Sequence, residues 1–185
     1  MTTGYNQLKA SVYDVIVDYY TLAPSGLLKV GIYSAMPQGA TFIVELGDYS
    51  GNYTSTAFKD RIIDAEHLGG QTNLENALDS VTNDIALRGE LSRANTAILV
   101  ITDGQTNIGN NGKTAFTEAK QAGFMPFAVL VVPPNGYYSD ERAAIQEVLP
   151  NDEQSVIAPS YAQIQGYSNQ TMTNSEWVVN AMCNS

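Results

Sequence analysis

Two short stretches carry residue types that suit metal chemistry. Thr72 stands in the loop Gly69-Gly70-Gln71-Thr72-Asn73, and Asp103 closes the run Thr96-Ala97-Ile98-Leu99-Val100-Ile101-Thr102-Asp103-Gly104. A hydroxyl and a carboxylate are hard oxygen donors, the kind that Mg²⁺, Mn²⁺ or Ca²⁺ prefer. The residues ahead of Asp103 form a continuous apolar run bounded by a turn signal, which reads as a strand buried on both faces. Such strands sit centrally in parallel sheets, and ligands bind at their carboxyl ends. Each residue also has a plainer reading. Thr72 with Glu75 makes a capping box worth about 1 kcal/mol, and Asp103-Gly104 is an ordinary turn pair. Taken singly, neither residue outweighs its plainer reading.

The elements that must position these two tips follow from periodicity. Residues 5–22 read as a helix with Tyr5, Leu8, Val12, Val15, Ile16 and Tyr19 on one face, ended by Pro24-Ser25-Gly26. Strands at 27–35 and 40–46 are joined through Pro37-Gln38-Gly39, a link short enough to favour an antiparallel hairpin. A modest helix at about 55–65 carries Phe58, Ile62 and Ala65. Beyond the Gly-Gly loop comes a stronger helix with Leu74, Ala77, Leu78, Val81 and Ile85 on one stripe. After the run that ends at Asp103, a helix at about 113–122 stops at Gly123, a fitting residue just past a helix end. A buried strand at 125–132, a helix from Asp140 to Leu149 and a weak strand at 155–158 follow. Thr173-Asn174-Ser175-Glu176 has the capping-box pattern ahead of a last helix with Trp177, Val178 and Met182. Strand and helix alternate from Leu27 onward, so the expected class is α/β, a doubly wound and mostly parallel sheet with helices on both faces. A chain of this class normally begins with a strand. This one begins with a helix.

Composition narrows the function. The 185 residues suit a single domain, and no apolar run is long enough to span a membrane. The formal charge of −10 argues against nucleic acid, whose phosphates need a basic patch. The first residues carry no basic and apolar leader pattern. The single cysteine, Cys183, is either a free thiol or half of a disulfide whose mate lies elsewhere. Two sequons, Asn52-Tyr53-Thr54 and Asn169-Gln170-Thr171, fit an extracellular setting.

The order helix, hairpin, helix, Gly-Gly-x-Thr-Asn, helix, apolar strand ending Thr-Asp-Gly, helix, apolar strand resembles the von Willebrand factor A (vWA) family over nearly the whole chain. Its most specific pieces are 69–78 (GGQTNLENAL) and 98–104 (ILVITDG). The strand at 125–132 and the helix at 177–183 resemble the family's next strand and its closing helix. The resemblance implies a metal-ion-dependent adhesion site built from an Asp-x-Ser-x-Ser motif after the first strand, a threonine and an aspartate. Thr72 matches the threonine and Asp103 the aspartate. The Asp-x-Ser-x-Ser motif has no match, since Asp14 and Asp18 lie inside the first helix. In the family that motif comes just before the first helix, at about the point where Met1 stands. The expectation is therefore a single vWA-like domain over 1–185 whose central first strand is missing. In secreted members a cysteine ahead of the first strand commonly pairs with one after the last helix, which would account for Cys183. The resemblance further implies a non-enzymatic, extracellular adhesion or ligand-binding module. It would hold Mg²⁺ or Mn²⁺ in the intact parent, and take an acidic side chain of a partner protein on the open position of the metal. This chain, with Thr72 the one direct ligand expected to remain, would bind none.

Three rivals stand beside this. A degenerate vWA scaffold would bind partners through its loops without metal. Residues 107–114 (NIGNNGKT) follow a strand, open a helix and end Gly-Lys-Thr as a phosphate-binding loop does, which would make the chain a nucleotide-binding protein. However, Asn107 stands where the first glycine belongs, and Asp103 would put negative charge beside the phosphates. A hydrolytic enzyme would need a nucleophile beside His67, and no recognisable motif supplies one.

The omission can be weighed. A central strand contributes about ten backbone hydrogen bonds at roughly 1 kcal/mol net each and about four buried side chains at roughly 1.5–3 kcal/mol each. Domain stability totals only about 5–15 kcal/mol. The isolated polypeptide should therefore fold poorly or aggregate through open strand edges. A cooperative calorimetric transition above about 50 °C, as ordinary domains show, would contradict that expectation.

Overall fold

The computed structural model describes residues 2–22, 28–67, 71–88, 96–102, 112–132, 139–150 and 154–158. These fall into two compact units. One takes the described residues up to 33 together with those from 42 to 67. The other takes 34–41 and the described residues from 71 to 158.

The first unit is built on helix α1 (Thr2–Leu22) and helix α2 (Thr56–Ile63), with the base of a hairpin formed by β1 (Ile32–Met36) and β2 (Gly39–Val44). Val12, Ile16 and Tyr20 recur at helical spacing along α1 and meet Val44, Tyr53, Phe58 and Ile62 in one core. Ser55 caps α2, its Oγ accepting the Phe58 N–H at 3.3 Å, and this presents Phe58 and Ile62 inward one turn apart. The rings of Tyr20 and Phe58 both stand edge-on to Tyr53, with centroids 5.5 and 5.2 Å away. Tyr53 is wholly buried, so its phenol needs a partner. It finds two, accepting the Val30 N–H at 2.9 Å and donating to the Leu28 carbonyl at 3.2 Å. Val30 also accepts the Gly47 N–H at 3.1 Å. Strand β1 consequently starts at Ile32, later than the expected 27, because the backbone ahead of it is spent on Tyr53 and Gly47. Lys9 reaches from α1 to the Ile63 and Ala65 carbonyls at the end of α2, where a cation complements the helix dipole.

The second unit is a parallel sheet of β3 (Ala97–Thr102), β4 (Met125–Val131) and β5 (Ser155–Ala158), in the order β3-β4-β5. The register runs Ala97 to Met125 through Thr102 to Leu130, then Ala128 to Ser155 through Val131 to Ala158. Helix α3 (Leu74–Arg88) packs on α4 (Lys113–Gln121), and α4 also meets β4 and α5 (Ser139–Val148). Residues 126–131 are all buried, so β4 is the central strand. The sequence pattern also reads β3 as a central strand, one whose other neighbour is the missing first strand. Among the described residues β3 lies at the edge of the sheet, with Ile98 buried and Leu99, Val100 and Ile101 half-buried. An apolar run reports burial without saying how many neighbours share it. Beyond α5, Ser155 is buried and donates from Oγ to the Leu149 carbonyl at 2.7 Å. Lys120 reaches the Val148 carbonyl and Gln154 Oε1 at 3.1 and 2.7 Å, which fixes the approach to β5. The expected closing helix at 173–183 lies outside the described residues. Among the described residues, no helix is long and apolar enough to cross a membrane.

Two stability measurements follow. Tyr53→Phe keeps the ring and strands the partly buried Val30 N–H, so urea melts should show a loss of about 1–2 kcal/mol, or roughly 2–4 °C per kcal/mol in Tm. An unchanged midpoint would show that Tyr53 contributes through its ring alone. The second concerns Asp14, whose pKa is raised by partial burial and further by Asp18 one turn along α1, against a lowering by Lys59. A carboxyl with a raised folded pKa binds its proton more tightly in the folded state, so its ionisation costs stability as pH rises. Asp14→Asn should therefore raise Tm at neutral pH, with the gain shrinking as pH falls into the carboxylate range. A gain independent of pH would remove the electrostatic account.

Candidate functional site

The start of α3 is set by Asn73. Its backbone carbonyl accepts the Ala77 N–H at 3.1 Å, and its Oδ1 accepts the Asn76 N–H at 3.0 Å. Asparagine is among the strongest N-caps, and Asn73 is buried in that role. The capping-box reading of Thr72 with Glu75 is thereby displaced by one residue. Thr72 is half-buried and sits just ahead of the cap, on the approach to the helix.

The first turns of α3 are gripped from two sides. On one side the hairpin tip lies against the helix: Asn76 Nδ2 donates to the Pro37 carbonyl at 3.1 Å, and a Cβ on Gly39 would fall 2.3 Å from Ser80 Oγ. The other side is the start of α4. Gly112 has φ of +79°, and a Cβ there would stand 2.6 Å from Leu74 Cδ2. Glycine meets both demands, since it adopts a left-handed conformation freely and lets the Leu74 side chain approach the backbone.

Strand β3 ends at Thr102, immediately before Asp103. Asp103 and the loop through residue 111 lie outside the described residues. The two ends of that loop are nonetheless fixed, one at the carboxyl end of β3 and the other at Gly112, in contact range of the residue two places beyond Thr72. Thr72, strand β3 and Gly112 belong to one unit, and Gly112 stands at the head of α3. Among the described residues, no three His, Cys, Asp or Glu side chains converge as a metal cluster. A hydroxyl and a carboxylate match a hard cation in donor type, while Mg²⁺ requires close to six oxygens.

The other candidates resolve differently. Lys113, which would reach for phosphate in a nucleotide loop, is salt-bridged to Glu147 on α5. His67 is exposed, its ring 4.7 Å from that of Tyr5, whose hydroxyl donates to the Glu66 carbonyl at 3.0 Å. Cys183 and the sequon at Asn169 lie outside the described residues.

The sequence profile of the von Willebrand factor type A domain matches residues 4–170. The chain belongs to this family. No curated protein matches it. Among solved structures, the vWA chain is similar to proximal thread matrix protein 1 from the mussel byssus, with a TM-score of 0.76 at 16% identity over 99% of this chain and 44% of that one. A further structure of that byssus protein has a zinc-occupied MIDAS motif, the metal-ion-dependent adhesion site. Similarity extends to manganese-loaded TRAP protein of Plasmodium vivax, with a TM-score of 0.56 at 17% identity over 84% of this chain and 58% of that one. It extends also to the conserved hypothetical protein BatB of Bacteroides thetaiotaomicron, with a TM-score of 0.60 at 16% identity over 96% and 89%. At these identities the likeness speaks for the fold. The chain spans less than half the length of the byssus protein.

Asn73 and Gly112 were missed as positioning residues by motif reading, although each left a local signal. An asparagine directly before an apolar-periodic run marks an N-cap, and a glycine before a helix marks a tight entry. Gly112→Ala should cost roughly 1–2 kcal/mol for the left-handed backbone alone. Combined with Leu74→Ala it should cost less than the two single losses added, by about 0.5 kcal/mol or more. Additive losses in a double-mutant cycle would show that Leu74 does not bear on Gly112.

Proposed function

We propose that this vWA chain is a non-enzymatic protein-binding module that works outside the cell. Its ligand face lies at the head of α3, with Thr72 and Asp103 contributing to a Mg²⁺ or Mn²⁺ site. The observation that carries the reading is the contact of Gly112 with Leu74, which holds the far end of the Asp103 loop beside the Thr72 segment. Thr72 would offer a neutral oxygen and Asp103 a charged one, acting directly or through water. A bound hard cation would supply an open coordination position for a carboxylate oxygen, which suits reversible capture of an acidic side chain on a partner protein. Two donors fall short of a complete shell, and the family's Asp-x-Ser-x-Ser motif is absent from this sequence. The remaining donors would have to come from groups other than these two side chains.

The absence of the motif also favours a second reading, in which the same loops bind a protein partner without metal. Mn²⁺ titration followed by water-proton relaxation separates the two. With the complete natural protein, Mn²⁺ should bind at micromolar concentration, and Thr72→Ala or Asp103→Ala should each weaken it about tenfold or more. Residues 1–185 alone should show no such binding. A complete protein that binds its partner equally well in EDTA would establish the metal-independent reading.

A further inference from the structure

We propose that Asn52 is an N-glycan acceptor, a modification site that rests on the extracellular reading above. The sequon Asn52-Tyr53-Thr54 lies in the turn that leads into α2, outside any helix or strand. Its middle residue anchors it. Tyr53 is wholly buried and tied by its hydroxyl to Leu28 and Val30, so its neighbours on either side face outward. Asn52 and Thr54 are both exposed.

The backbone of the turn is already satisfied. The Asn52 N–H donates to the Tyr49 carbonyl at 2.8 Å, and the Asn52 carbonyl accepts the Ser55 N–H at 3.2 Å. Tyr20 donates to the Gly51 carbonyl at 2.8 Å. Among the described residues, the Asn52 amide and the Thr54 hydroxyl make no hydrogen bond that a glycan would break. The space outside is open, since a Cβ on Gly51 would meet nothing within 4 Å. The turn therefore holds the acceptor on a fixed, solvent-facing platform, and its core-facing contacts lie on the opposite side.

The transfer is chemically complete with one co-reactant, a lipid-diphosphate-linked oligosaccharide. A bond forms between Asn52 Nδ2 and the anomeric carbon of the first sugar. The bond from that carbon to the lipid diphosphate breaks, the diphosphate departs with the electron pair, and the amide gives up one proton. A sugar at Nδ2 adds bulk to the outer face of the turn and leaves Tyr53 and Phe58 in place.

The test uses the full chain behind a cleavable secretion leader in cultured eukaryotic cells. Both the secreted pool and the pool retained in the endoplasmic reticulum are examined by peptide mass spectrometry. Asn52 should carry a glycan in both, and the amidase that cleaves N-glycans should remove it from the folded protein without denaturant. Asn52→Gln and Thr54→Ala should each lose that one glycan and melt at the same temperature as the deglycosylated parent. A translocated chain with Asn52 unmodified, or with sugar at Asn169 alone, would overturn the proposal while leaving the extracellular reading intact. A glycan at Asn52 that resists the amidase until the protein is denatured would overturn the outward placement. Localisation of the natural protein to the cytosol would instead overturn the extracellular reading, whatever the leader-directed chain shows.

Discussion

The burial of β4 is the constraint on which the second unit depends. A strand buried from residue 126 through 131 exposes no face to water, so each of its backbone groups must be met by a neighbouring strand and each side chain by a covering element. Strands β3 and β5 meet the backbone from either side, in parallel register. Parallel neighbours require crossovers, and the crossovers are α4 and α5. Once α4 lies on β4, its buried Ala115, Phe116 and Ala119 fix its rotation. Its first residue then arrives where Gly112 can meet Leu74. The geometry at the head of α3 is thus a consequence of packing around a strand that carries none of the candidate site residues.

The first unit solves a different problem. It has two helices and the base of a hairpin to enclose a core, and it does so with aromatic rings. Tyr53 works as an internal pillar, its ring filling the space between α1 and α2 while its hydroxyl replaces a strand partner for residues 28 and 30. A phenylalanine would fill the same volume and leave the backbone short of a partner. The same residue turns Asn52 and Thr54 outward, so one buried side chain serves the core and orients the surface of the turn.

Donor type decides which metals a hydroxyl and a carboxylate can hold. Neutral and anionic oxygens without histidine or thiolate favour hard cations, and hard cations with an open position favour carboxylates. A lysine at the start of α4 would argue for phosphate if it pointed at the loop. Its side chain pairs with Glu147, which links α4 to α5.

Much of the fold was legible in the residues. The amphipathic spacing of α1 and α3, the stop at Gly123 and the apolar run of β4 each follow from local chemistry that acts over a few residues. Thr72 and Asp103 stand in short, contiguous signals of the same local kind, a Gly-Gly-x-Thr-Asn loop and a run ending Thr-Asp-Gly. The apolar run of β3 could not by itself say which strand lies alongside it, since side-chain hydrophobicity records loss of water and not the identity of the neighbour. Sequence alone could not move the cap from Thr72 to Asn73, since both residues have the required oxygen and only the helix register chooses between them. Nor could it bring Gly112 to Leu74 or turn Lys113 toward Glu147. Those contacts join residues more than thirty positions apart, and only the packing of α4 between its neighbours decides them.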